Sequence, residues 1–192
     1  EAHYIKSLVL VPTRELAKQI DEQLEGFSYF LPVTSIAVYG GGQGDIWDNQ
    51  KNALVNGVDI IIATPGRLIS HMAMGYVDLT KVEVLVLDEA DKMLDMGFFE
   101  DIVKIIQTVP KERQTLLFSA TMPPKIRHLA NQILRNPEQI SLSISKPAEK
   151  IEQITYLVGD KHKIALLEYL FKEKEIESMI IFTSRKNNVG EI

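Results

Sequence analysis

Short apolar runs recur along the chain at 7–11, 33–39, 58–63, 82–87, 115–118 and 139–144. Most are nearly continuous in Val, Ile and Leu rather than alternating with polar residues, the pattern of strands buried on both faces. Between them, apolar positions return every three or four residues. Leu16, Ile20, Leu24 and Phe27 form one stripe, Phe99, Ile102, Val103 and Ile106 a second, and Ile126, Leu129, Ala130 and Ile133 a third. That is the spacing of amphipathic helices. Alternation of strand and helix predicts an α/β fold: a parallel sheet with right-handed crossovers and helices on both faces. In such a fold, functional residues collect at the C-terminal ends of the strands.

The texture changes near residue 145. Ser145-Lys146-Pro147-Ala148-Glu149-Lys150 is polar and contains proline, which reads as a linker. This gives a first domain over 1–145, a linker at 146–150 and the start of a second domain over 151–192. The second part reads as strand 153–158, a helix carrying Ile164, Leu167, Leu170 and Phe171, and strand 178–183.

Composition narrows the classes. The 192 residues suffice for one well-cored domain and part of another. Without cysteine, disulfides and thiolate metal sites are excluded, which fits a cytoplasmic protein. No apolar run approaches the roughly 20 residues of a membrane span, and there is no basic-then-apolar start, so neither a span nor a signal segment is expected. The net charge of −5 removes bulk attraction to nucleic acid. Any such contact has to come from placed residues and backbone N–H groups. His3, His71, His128 and His162 show no metal-ligand spacing and read as surface histidines; Trp47 reads as helix packing, and Lys172-Glu173-Lys174-Glu175 as a solvated helix end.

The sharpest chemical signal is Val84-Leu85-Val86-Leu87-Asp88-Glu89-Ala90-Asp91. Three carboxylates at the tip of a buried strand repel one another and lose hydration, so a bound cation would keep them ionised. Mg²⁺ beside a nucleotide phosphate suits an oxygen-only site with few protein ligands. The bland alternative is a helix start enriched in acids. Four other strand ends carry small, hydroxyl or arginine residues: Val11-Pro12-Thr13-Arg14-Glu15-Leu16-Ala17, Gly40-Gly41-Gly42, Thr64-Pro65-Gly66-Arg67-Leu68 and Ser119-Ala120-Thr121. Each alone also reads as a turn or a cap.

Taken in order, these segments resemble the DEAD-box family of ATP-dependent RNA helicases over essentially the whole chain. Residues 12–17 resemble motif Ia, Gly40 and Gly41 the glycine doublet, and 64–68 motif Ib. Asp88-Glu89-Ala90-Asp91 resembles motif II, Ser119-Ala120-Thr121 motif III, and Ile180-Ile181-Phe182 motif IV. Within the family the texture is similar to the bacterial RhlE-type branch. The resemblance implies a RecA-like first domain followed by the beginning of a second. It implies that Asp88 holds Mg²⁺, directly or through water, and that Glu89 positions and activates the water that hydrolyses ATP. Asp91 would reach Ser119 and Thr121 and couple nucleotide state to domain closure. Pro12, Thr13, Arg14, Gly40, Gly41, Thr64, Gly66 and Arg67 would grip the sugar-phosphate backbone of RNA, which is sequence-independent binding.

The chain departs from the family pattern in two respects that matter. No Gly-x-x-x-x-Gly-Lys-[Ser/Thr] occurs in it; this P-loop would cradle the β- and γ-phosphates of ATP. Motifs V and VI, with their arginine finger, are missing too. The expectation is therefore a piece of an RNA helicase, inactive by itself as an ATPase. The alternatives are a non-catalytic RNA- or protein-binding module and a DNA translocase of the same superfamily. A further expectation concerns the sheet. Strand 153–158 or 178–183 would fill the place of the strand that leads into the P-loop, between 115–118 and 139–144, by exchange within a chain or between copies.

Overall fold

The computed structural model describes residues 4–41, 45–142, 151–173, 177–184, 186–190 and 192. His3, Gly42, Ser143, Ile144, the expected linker at 146–150, Lys174 and Glu175 lie outside the described residues. Two compact units emerge, Glu1–Gln139 and Ile140–Ile192.

The first unit is built on five strands: β1 (Ser7–Leu10), β2 (Ser35–Val38), β3 (Ile60–Ala63), β4 (Val84–Leu87) and β5 (Gln114–Leu117). They lie in the order β2-β3-β1-β4-β5, and every adjacent pair is parallel. The register sets Leu10 beside both Ala63 and Leu87, Val38 beside Ala63, and Leu87 beside Leu117. All five C-terminal ends therefore share one rim. Backbone bonds just past the ladder tie neighbouring ends together: Val11 N–H to Ala63 O at 2.9 Å, Asp88 N–H to Leu10 O at 2.9 Å, and Phe118 N–H to Leu87 O at 2.8 Å.

The helices α1 (Arg14–Ser28), α2 (Asp45–Asn56), α3 (Pro65–Ala73), α4 (Ala90–Asp95), α5 (Phe99–Thr108) and α6 (Pro124–Ile133) cover the sheet from both sides. Leu8, Leu10, Ile61, Leu85 and Leu87 pack into one cluster with Leu54, Leu68, Met93, Ile102, Ile105, Ile126 and Leu129, supplied by α2 to α6. On the other side Ala37, Ile62 and Val11 meet Ala17, with Leu16, Ile20 and Leu24 of α1 partly buried against them. A fully buried aliphatic side chain contributes about 1.5–3 kcal/mol, so the α2-to-α6 side carries most of the stability. The parallel sheet with helices on both faces is the architecture the apolar pattern predicts.

Some expectations change. Phe27 is 78% exposed, because α1, 15 residues long, rises about 1.5 Å per residue and outlasts the short strands beneath it. In α5 the buried pair is Ile102 and Ile105, with Val103 only partly covered. Residues 139–142 carry no strand, and Ile140 is 81% exposed. The second unit holds helix α7 (Lys163–Glu173), as its apolar spacing predicts. Yet 153–158 and 178–183 form no strand there and add none to the sheet of the first unit. Filling of the sheet within one chain is thus not seen. A strand needs a paired neighbour and an apolar surface behind it, and Phe182 is 91% exposed.

Candidate active site and nucleic-acid rim

β4 delivers Asp88 and Glu89 to the rim. The chain then turns abruptly into α4, and Glu89, its N-cap, adopts a left-handed conformation with φ 49° and ψ 48°. Asp88 Oδ1 accepts the Glu89 N–H at 2.9 Å, and Ala90 N–H donates to Phe118 O at 3.0 Å. The sharp turn is thereby tied to the end of β5. Glu89 Oε2 is buried without a hydrogen bond. Lys92 Nζ stands 3.2 Å from it, close enough for an ion pair but outside hydrogen-bond geometry, and half-exposed pairs of this kind contribute little.

Asp91 does not join its two neighbours. Its Oδ2 accepts the Thr121 N–H at 2.9 Å and the Thr121 hydroxyl at 2.7 Å, and its Oδ1 accepts the Lys92 N–H at 3.0 Å. The Asp91 N–H donates to Ser119 Oγ at 3.2 Å, and that hydroxyl donates onward to Thr121 O at 2.7 Å. Burial pushes the Asp91 carboxyl up. The bonds from Thr121, the Lys92 amide and Ser119 outweigh it and hold the group below the usual aspartate value. The three-acid cation cluster expected from charge repulsion is therefore replaced by two carboxylates and a hydrogen-bonded knot. Among the described residues no three His, Asp or Glu groups converge on a metal-sized site. What remains, Asp88 with lone pairs to spare and a Glu89 oxygen that accepts no hydrogen bond and meets only the Lys92 charge, fits a hard cation that takes few protein ligands and completes its shell with phosphate and water.

The rest of the rim is basic. Thr13 caps α1, its hydroxyl accepting the Leu16 N–H at 3.3 Å, while Pro12 is buried behind it. Arg14 opens the helix and pairs with Glu15 at 2.6 Å. Thr64 and Pro65 start α3, but the Thr64 hydroxyl makes no cap bond. Gly40, Thr64, Gly66, Arg67, Ser70 and Phe98 line a cavity of about 390 Å³. Gly41 sits at φ 83°, and a Cβ there would stand 3.4 Å from Arg14 Nη1; a Cβ on Gly40 would stand 4.0 Å from Arg67 Nε. The glycine turn after β2 thus lies against both arginines. The structure brings Arg14, Gly40, Gly41 and Arg67 together from three separate segments.

Sequence reasoning missed several neighbours of this turn. Lys18, one turn after Arg14, holds its ammonium 5.6 Å from the Tyr39 ring centroid; its i+4 spacing was the available signal. His71, expected at the surface, is 0% exposed. It stacks on Trp47 with ring centroids 4.0 Å apart and contacts Gln50 and Tyr76. A lone histidine in a helix carries no mark of burial, because its partner Gln50 lies 21 residues away. Trp47 does serve packing as expected, and it also carries the Arg67 guanidinium 4.9 Å above its ring. Ile180, Ile181 and Phe182 belong to the second unit.

Comparison with known proteins places this arrangement. A family model for the DEAD/DEAH box helicases matches residues 1–129. The ATP-dependent RNA helicase CshA of Listeria monocytogenes is 42% identical over 100% of this chain and 36% of its own length. The ATP-dependent RNA helicase DbpA of Escherichia coli is 41% identical over 95% of this chain and 40% of its own. DeaD of Escherichia coli, of the same description, is 40% identical over 96% and 29%. These identities are too close together to single out one branch. The chain spans roughly a third of the length of these relatives. Among solved structures, a DEAD box protein from the hyperthermophile Methanococcus jannaschii superposes with a TM-score of 0.64 at 38% identity, over 70% of this chain and 36% of that one. The yeast DEAD-box splicing factor Prp28 does so with the same score at 34% identity, over 69% and 31%. With its parallel RecA-like sheet and its Asp88-Glu89-Ala90-Asp91 strand tip, the chain belongs to the DEAD/DEAH box helicase family.

Proposed function

We propose that this chain supplies the hydrolytic carboxylates and the RNA-gripping rim of an ATP-dependent RNA helicase, which couples ATP hydrolysis to local strand separation or ribonucleoprotein remodelling. The observation that carries this reading is the Asp91–Ser119–Thr121 knot. It fixes the turn bearing Asp88 and Glu89 on the same rim that presents Arg14, Gly40, Gly41 and Arg67. Asp88 would hold Mg²⁺, whose charge would neutralise the phosphate oxygens of bound ATP. Glu89 would orient the attacking water and accept its proton. Asp91, tied to Ser119 and Thr121, would transmit the state of the nucleotide to β5.

RNA recognition is proposed to run through Pro12, Thr13, Arg14, Gly40, Gly41, Thr64, Gly66 and Arg67, with Lys18 beside them. Backbone N–H groups at helix starts and guanidinium groups favour phosphate over base edges, so the grip is indifferent to sequence. A cytoplasmic setting belongs to the same reading. So does exchange of a strand, 153–158 or 178–183, between copies beside β5, whose Leu116 is exposed; light scattering that found monomers at every concentration would remove that part. The hydrolytic reading is tested in the protein as its gene encodes it, by RNA-stimulated ATPase assay. Glu89→Gln keeps the shape and removes the base. Turnover should fall by at least two orders of magnitude while nucleotide binding persists; undiminished turnover would refute the assignment.

A further inference from the structure

A chain of polar contacts runs behind the basic rim and shares no residue with the Asp88–Thr121 site. His71, on α3 one turn after Arg67, touches the Tyr76 hydroxyl with Nδ1 and Gln50 Oε1 with Nε2, the latter at 3.1 Å. Gln50, buried on α2, donates from Nε2 to Ala37 O at 3.4 Å and Tyr39 O at 3.2 Å. These bonds fix the direction of the whole chain. With its amide nitrogen committed to two carbonyls, Gln50 presents only its oxygen to His71. His71 must then carry its proton on Nε2, and its Nδ1 must accept from the Tyr76 hydroxyl. A flipped Gln50 would set its oxygen against two carbonyl oxygens in a buried site, which is unfavourable.

The relay ends at the glycine turn. Tyr39 O, the carbonyl that precedes Gly40, accepts from Gln50 and also from Arg67 Nε at 2.9 Å. The Trp47 ring stacks near parallel on the His71 ring, 4.0 Å away, and also carries the Arg67 guanidinium at 4.9 Å. His71 therefore touches Gln50, one support of the turn, and Trp47, which carries the other, Arg67. Building on the RNA-gripping reading above, we propose that His71 is the positioning residue of the rim, fixing the turn at Tyr39, Gly40 and Gly41 through Gln50 and the aim of Arg67 through Trp47. Burial, with the nearby Arg67 charge, brings the His71 imidazole down to about 4, so it works at neutral pH as an uncharged hydrogen-bonding ring.

The test uses the 192-residue chain, fluorescein-labelled single-stranded RNA of mixed sequence, and ¹⁵N relaxation of Gly40 and Gly41. His71→Phe keeps a ring over Trp47 and removes both nitrogens. It should weaken RNA binding about five- to tenfold, the scale of one buried hydrogen bond, and lower the backbone order of both glycines. His71→Gln places an amide donor where Nε2 stood and should restore most of each loss. The effects of His71→Phe and Arg67→Ala should combine to less than their product, because both act on one turn. A folded His71→Phe with wild-type affinity and wild-type glycine order would overturn the proposal, as would a His71→Gln no better than His71→Phe. Gln50→Leu cuts the relay without touching the ring stack and gives the same reading if His71→Phe does not fold. If neither the wild type nor Arg67→Ala binds RNA, the RNA reading falls; glycine order unchanged in His71→Phe would then overturn the relay by itself.

Discussion

Glu89 holds a backbone conformation that costs a side-chain-bearing residue about 1–2 kcal/mol relative to glycine, at φ 49° and ψ 48°. Packing and the Ala90-to-Phe118 bond keep it there, and strain of this kind collects where function requires a particular aim. The consequence is measurable. Glu89→Gly should leave thermal stability unchanged or raise it by about 1 kcal/mol, even though a partly buried side chain is lost; a clear fall in the unfolding midpoint would contradict the strain. The composition of this site was legible in the sequence, since an apolar strand ending in Asp88-Glu89-Ala90-Asp91 announces itself. The division of labour was not legible from charge alone. Repulsion groups all three acids around a cation, whereas the fold brings Ser119 and Thr121, just past β5, to take Asp91 out of that group. Only the family resemblance anticipated that contact.

At the level of elements, the junctions between strand and helix carry the site, and their turn chemistry could be read directly. Thr13 caps α1, and Pro65 opens α3. The second layer behind them was hidden, because α2 and α3 meet through Gln50 and His71, a pair that no local spacing reveals. This contact has a pH signature. The folded pKa of His71, about 4, lies below the ordinary value near 6.5, so between these values the unfolded chain binds the proton and the folded chain does not. The contribution to stability is complete above pH 6.5 and is lost as pH falls toward 4. The charged or titratable groups facing the ring are Arg67, from the same helix, and Tyr76 just beyond it. Denaturant midpoints at pH 7 and pH 4.5 should therefore fall further for the wild type than for His71→Phe. Equal falls would contradict a buried neutral histidine.

For the molecule as a whole, the parallel sheet and its two apolar clusters follow from the Val, Ile and Leu runs, which mark strands covered on both faces. The order β2-β3-β1-β4-β5 does not follow from them, since every parallel crossover is compatible with several orders. Segments 139–142, 153–158 and 178–183 show the limit of the pattern: apolar residues make a strand only where a ladder and a packed face receive them. One rim of this sheet is proposed to grip RNA by its phosphates, with Arg14 and Arg67 at its centre. Its most direct test is an anisotropy titration of the chain with three single-stranded RNAs of unrelated sequence at two salt concentrations, repeated with Arg14→Ala/Arg67→Ala. Affinities should lie within about twofold of one another across sequences, fall steeply with added salt, and drop further by a similar factor on all three RNAs in the variant. A strong preference for one sequence, or a variant that binds as the wild type does, would contradict it.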